Sequence, residues 1–126
     1  MLNREAFLAM KAAVPVEKVD LPEMSGSVFV KGMTAKERSA FEKQFQTPSG
    51  KPNKVRLAEV RERIVVATVC DESKNLLFTE ADIPVIGELP AAVVERLVSV
   101  AQRLCGMTNQ DVESLAGNSG ETADAN

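Results

Sequence analysis

The chain contains no histidine, no tryptophan and no tyrosine, and the first of these absences closes off much chemistry. Without imidazole there is no side chain that titrates near neutrality unperturbed, no His metal ligand, and no Ser–His or Cys–His nucleophile. Aromatic residues are 4% of the 126, all phenylalanine, so the core must be built from Val, Leu, Ile, Ala and Met. Only two cysteines occur, Cys70 and Cys105, far apart and each inside an apolar run. They read as buried small hydrophobes rather than a disulfide or a zinc site, which suits a reducing compartment. The seven glycines are scattered, and none begins a phosphate-binding G-x-x-x-x-G-K or G-x-G-x-x-G pattern. Positive charge is in deficit, with a net charge of −3, so the chain as a whole lacks the field that nucleic acid attracts. No apolar run approaches the roughly 20 residues of a membrane span. Met1–Met10 mixes Arg4 and Glu5 with its apolar residues instead of forming a cationic segment followed by an apolar one. A soluble cytoplasmic protein is the expectation.

What is present is ordinary for a globular domain: 44% hydrophobic and 26% charged residues, close to the usual composition, in a length that suits one core. The organising stretch is Val55–Cys70. Leu57, Val60 and Ile64 fall at the i, i+3, i+7 spacing of one helical face, with Arg56, Glu59 and Arg63 largely elsewhere. From Ile64 to Cys70 every residue but Thr68 is apolar. A helix that begins amphipathic and ends apolar all round runs from surface to core. The rival reading is a buried strand from Ile64, because Val, Ile and Thr favour strands. The unbroken periodicity from Val55 favours the helix.

The remaining elements follow in order. Asn3–Ala13 reads as a short helix with Asn3 as N-cap, with Leu2, Ala6, Phe7 and Met10 on one side, and Pro15 ending it. Val16–Leu21 and Val28–Val30, separated by turn residues, predict a β-hairpin. Thr34 and Glu37 form a capping box, followed by Phe41 and Phe45 on one helical face. Gln46–Asn53, with two prolines and a glycine, is a loop and the most mobile internal segment the sequence predicts. Leu76–Phe78 is long enough only for an edge strand; Thr79–Asp82 caps a helix that Pro84 cuts short or kinks. Pro90–Cys105 is the second long helix, with Val94, Leu97, Ala101 and Leu104 as its stripe and Gly106 closing it. Thr108–Asp111 caps a last helix. The predicted fold is α+β, a mainly helical domain with an N-terminal β-hairpin packed on helices. Residues 1–116 form its single domain, and 117–126 read as a disordered acidic tail.

The sequence assigns no catalytic residue, no cofactor and no metal. Asp71–Glu72 and Glu80/Asp82 are paired carboxylates, but each lies in a turn or a helix start, where acids solvate or complement the helix dipole. One cationic cluster stands out: Lys51, Lys54, Arg56, Arg61 and Arg63. It has two readings, a contact for phosphates or an acidic partner, or a solvated face with Glu59–Arg63 as an i, i+4 pair. No aromatics are interleaved with it, against single-stranded nucleic-acid binding.

The ordered wording of the chain resembles the tail assembly chaperones of long, non-contractile-tailed bacteriophages or prophages. The resemblance lies in Leu2–Leu8, Val19–Glu23 with Ser27–Val30, and Met33–Arg38 running to Phe41–Glu42. It continues through Val69–Glu72 into Leu77–Asp82, Leu97 with Ala101–Leu104, and Thr108 to Asp111–Val112, so it spans residues 2–115. It implies a non-enzymatic factor in the host cytoplasm that binds the tape measure protein, keeps it soluble, helps recruit tail tube protein, and is absent from the mature virion. It further implies self-association and a longer form made by ribosomal frameshifting. A chaperone of a helical client needs exposed apolar surface with adaptable side chains, which makes Met10, Met24 and Met33 partner-contact candidates beside Lys51, Lys54 and Arg56. Core filling is the other reading of Met10 and Met33. Two alternative functions are a structural minor tail or connector subunit and a small nucleic-acid-binding regulator.

Overall fold

An antiparallel hairpin opens the folded part of the chain. In the computed structural model, which describes residues 1–10 and 13–115, β1 (Val16–Leu21) pairs with β2 (Gly26–Lys31) from Val16↔Lys31 to Leu21↔Gly26. Glu17, Val19 and Leu21 turn inward with period two, and Val28 and Val30 oppose them from β2. The predicted turn is a single 3₁₀ turn, Pro22–Met24, closed by Ser25 in the left-handed region at φ 53°. A third strand comes from the end of the stretch whose rival reading is a buried strand: β3 (Val69–Cys70) pairs with the far edge of β2, giving the order β1-β2-β3.

The central stretch is therefore both helix and strand. It is helical over α3 (Lys54–Ala58) and α4 (Val60–Thr68), then extends for two residues into the sheet. The periodicity does not run unbroken: Glu59, at φ −105° and ψ 21°, separates the two helices. Asn53 starts α3, its side chain accepting from the Arg56 N–H at 3.1 Å. Val60, Ile64 and Val65 are each about 1% exposed, and the Thr68 hydroxyl, fully buried, donates to the Ile64 carbonyl at 2.7 Å. That bond removes the one polar objection to an all-apolar turn.

Several local predictions appear as geometry. Thr34 and Glu37 exchange capping hydrogen bonds at 2.9 and 3.1 Å ahead of α2 (Ala35–Lys43). Phe41 and Phe45 are buried edge to face, 5.2 Å apart. Pro84 does not interrupt a helix. The segment is already split into a 3₁₀ turn, Glu80–Asp82, and α5 (Ile83–Ile86), with Pro84 in the first turn of α5, where its missing N–H costs nothing. The long helix α6 (Ala91–Leu104) buries Val93, Val94, Leu97, Val98 and Ala101 against α4 and the sheet. It ends in a Schellman motif, with Met107 N–H on the Gln102 carbonyl and Gly106 N–H on that of Arg103 at φ +73°. Residues 109–115 are helical, behind the reciprocal Thr108–Asp111 cap. The predicted tail over residues 117–126 lies outside the described residues.

Two ion pairs clamp α6 to the hairpin, Arg103 to Glu17 at 2.8 Å and Arg96 to Glu23 at 2.7 Å. Gly32 follows β2 where the chain passes the end of α6. A Cβ there would lie 2.7 Å from the Leu104 carbonyl oxygen, so only glycine fits.

Candidate functional site

Among the described residues, two surfaces offer apolar side chains to a partner. The first is α1 (Arg4–Leu8), capped by Asn3, whose side chain accepts from the Ala6 N–H at 2.9 Å. The helix is shorter than its predicted Asn3–Ala13 span, and residues 11 and 12 lie outside the described residues. None of its residues is buried; Leu2 and Phe7 are each 67% exposed and Met10 61%. The stripe that reads in sequence as core-facing faces water.

The second is a groove between the open end of the hairpin, α2 and α4. It encloses about 330 Å³ and is lined by Met33, Ala40, Phe41, Ala67 and Leu76, with Lys31 and Glu37 on its rim. Leu76 reaches it because the chain turns back after β3. Asp71 Oδ1 accepts from the Ser73 and Asn75 N–H groups at 2.8 and 3.0 Å, and Leu76 bridges to Cys70. The edge strand expected at Leu76–Phe78 is this bridge.

The three methionines do not form one patch. Met10 precedes the open end of the hairpin and is exposed; Met33 follows that end, half-buried against the core at the groove. Met24 is exposed on the turn, six strand residues away, roughly 20 Å at the usual rise per residue. Core filling is thus excluded for Met10, while Met33 both packs and lines a surface.

The cationic cluster divides. Arg61 is held by Glu95 at 2.7 Å and Glu113 at 2.9 Å. Arg63 is 8% exposed and bonds Gln44, Glu59 and Glu80. Of the remaining three, Arg56 lines a cleft of about 560 Å³ walled by the 46–53 loop, where Lys43 at the end of α2 joins it, while Lys51 lies in that loop and Lys54 begins α3. Arg56 donates to the Gln44 carbonyl at 3.3 Å, while Lys51 and Lys54 are exposed and make no ion pair among the described residues. The loop is closed on itself. Thr47 N–H bonds the Lys51 carbonyl at 2.7 Å, Gly50 N–H bonds that of Thr47, and Asn53 N–H returns to Phe45.

Burial pushes the Cys70 and Cys105 thiols up, and both are free. The Arg96 guanidinium draws Glu23 down to about 2, Arg103 lowers Glu17, and backbone N–H donors lower Glu37, Asp71 and Asp111. Among the described residues no three of His, Cys, Asp and Glu could hold a metal ion, and no helix is long and apolar enough to cross a membrane.

No family model and no curated protein matches the chain. A solved structure does: the tail assembly chaperone of bacteriophage HK97, at a TM-score of 0.55 and 19% identity, covering 78% of this chain and 96% of that one. At that identity the likeness is one of fold, a mainly helical domain with a small sheet at its N-terminal end.

Proposed function

We propose that the chain is a non-enzymatic tail assembly chaperone of a phage or prophage. It binds the tape measure protein in the host cytoplasm, keeps it soluble, helps recruit tail tube protein, self-associates, and is left out of the mature virion. The observation that carries this reading is unpartnered apolar surface on a well-packed domain: the α1 stripe and the Met33–Leu76 groove. Such surface is what a holder of an amphipathic helical client presents, with anchors entering a groove at i, i+3 and i+4 spacing. The fold shared with the HK97 protein supports it. The non-enzymatic part is supported by the missing histidine, the buried thiols and the lowered carboxylates.

Co-expression with the tape measure protein of the same operon tests the reading. A client that stays soluble and co-purifies upholds it. A client that precipitates as it does alone, with this chain recovered in purified particles by mass spectrometry, would replace it with the structural-subunit reading.

A further inference from the structure

We propose that α1 of one copy of this chain docks into the Met33–Phe41–Ala67–Leu76 groove of a second copy. The proposal rests on the self-association included above and names its surface. The two faces complement each other in chemistry. Ala6 and Phe7 lie on α1, Leu2 and Met10 flank its two ends, and all four are exposed. The groove is lined chiefly by apolar side chains and is open to solvent.

Charge matches as well. Arg4 and Glu5 lie off the apolar stripe of α1, and the groove rim carries one charge of each sign, Lys31 and Glu37, themselves 3.6 Å apart. A helix laid in the groove can exchange that rim pair for two intermolecular ones.

Connectivity points to a second copy as the occupant. The chain enters β1 beside the groove, where Gly32 N–H donates to the Pro15 carbonyl at 2.8 Å and Lys74 Nζ to that of Val14 at 3.0 Å. The segment that carries α1 thus joins the rest of the fold beside the groove, yet no residue of α1 lines the groove and none is buried. A second copy supplies each with the other. The contact is heterologous, every copy giving one helix and receiving one. One short helix buries far less than the roughly 1,200 Å² of a standard stable interface, so association is reversible and rises with concentration.

Sedimentation velocity over a concentration series tests this with wild type, Phe7→Asp and Leu76→Asp. Both side chains are at the surface, 67% and 47% exposed, so circular dichroism should report an unchanged fold. Each variant alone is expected to associate at least about tenfold more weakly than wild type, and Phe7→Leu to retain association. An equimolar mixture of the two Asp variants should recover a 1:1 dimer, because one keeps its groove and the other its helix. Variants that associate like wild type, a mixture that recovers nothing, or a wild type that is monomeric throughout would each overturn the proposal. If the mixture forms its dimer while the tape measure protein precipitates in co-expression, this contact stands and the chaperone reading falls. If the client is held but both variants associate normally, the reverse holds.

Discussion

Arg63 is the cation that sequence would place on the surface and that the fold has taken inside, and its replacement has a calculable cost. Nη1 bonds Gln44 Oε1 at 2.9 Å and Nη2 bonds Glu59 Oε1 at 2.9 Å, tying the end of α2 to α4. The longer bond to Glu80, at 3.4 Å, reaches a carboxylate whose side chain is 70% exposed and adds little. Nε is buried without a partner, a penalty of about 1 kcal/mol against the residue. Arg63→Met keeps the aliphatic stem, loses the two short bonds at about 1.5–3 kcal/mol in sum, and removes the unpaired donor, for a net loss of about 0.5–2 kcal/mol. Arg63→Ala also gives up about two buried methylenes, a further 1.5 kcal/mol or so. It should therefore cost about 3 kcal/mol, roughly 10 °C in Tm for a domain of this size. Urea unfolding of both variants and of Glu59→Gln/Arg63→Met reads these values. The double variant should cost less than the sum of its parts, since neither charge is then left alone. An Arg63→Ala protein within about 0.5 kcal/mol of wild type would mean the side chain is solvated after all, and the cationic cluster would regain a member.

Ile64→Asp should abolish the cooperative transition, because Ile64 is 1% exposed and an unpaired carboxylate there has no compensation; Ile64→Val should cost only about 0.5–1.5 kcal/mol, and an unchanged melt for the Asp variant would remove α4 from the core. Glu23, held at about 2 by Arg96, has a folded pKa below its ordinary 4.5, so its contribution is present above about pH 4.5 and is lost as pH falls toward 2. Arg96→Ala should bring the Glu23 carboxyl back up in a carbon-detected NMR titration, and a wild-type Glu23 that already titrates near 4.5 would show that the clamp between α6 and the hairpin turn is absent.

How much of this fold is legible in the sequence follows the range of each interaction. The caps at Thr34 and Thr108 and the turn at Gly106 are complete within five or six residues, so their donors and acceptors can be read directly from spacing. The end of the Val55–Cys70 stretch cannot be read this way. Ile64 to Cys70 is apolar whether it coils or extends, and what extends Val69 and Cys70 is the unpaired edge of β2, forty residues earlier in the chain. Neither local propensity nor periodicity carries that information. The break at Glu59 has the same character: no Gly or Pro marks it, and Arg56 and Arg63 on either side both reach to Gln44, at the end of α2.

The candidate surface was legible only as residue types, and the reason is physical. An apolar stripe on a short helix reads identically whether its own domain covers it or another molecule does. Here the inward face of β1 and β2 is already filled by α6, which packs in turn on α4, with Val19, Leu21 and Val30 in one core with Ile64, Leu97 and Ala101. No inward face of the sheet remains for α1, and Phe7 and Met10 are left in water. The same logic separates the cations. Arg61 and Arg63 stand on α4, the helix that the rest of the chain surrounds, so acidic side chains from distant segments reach them. Lys51 stands in the loop before α3 and Lys54 at its first residue, where no acid approaches within ion-pair distance among the described residues. Which charges stay free for a partner is thus decided by the layer each occupies, and residue spacing alone does not encode the layer.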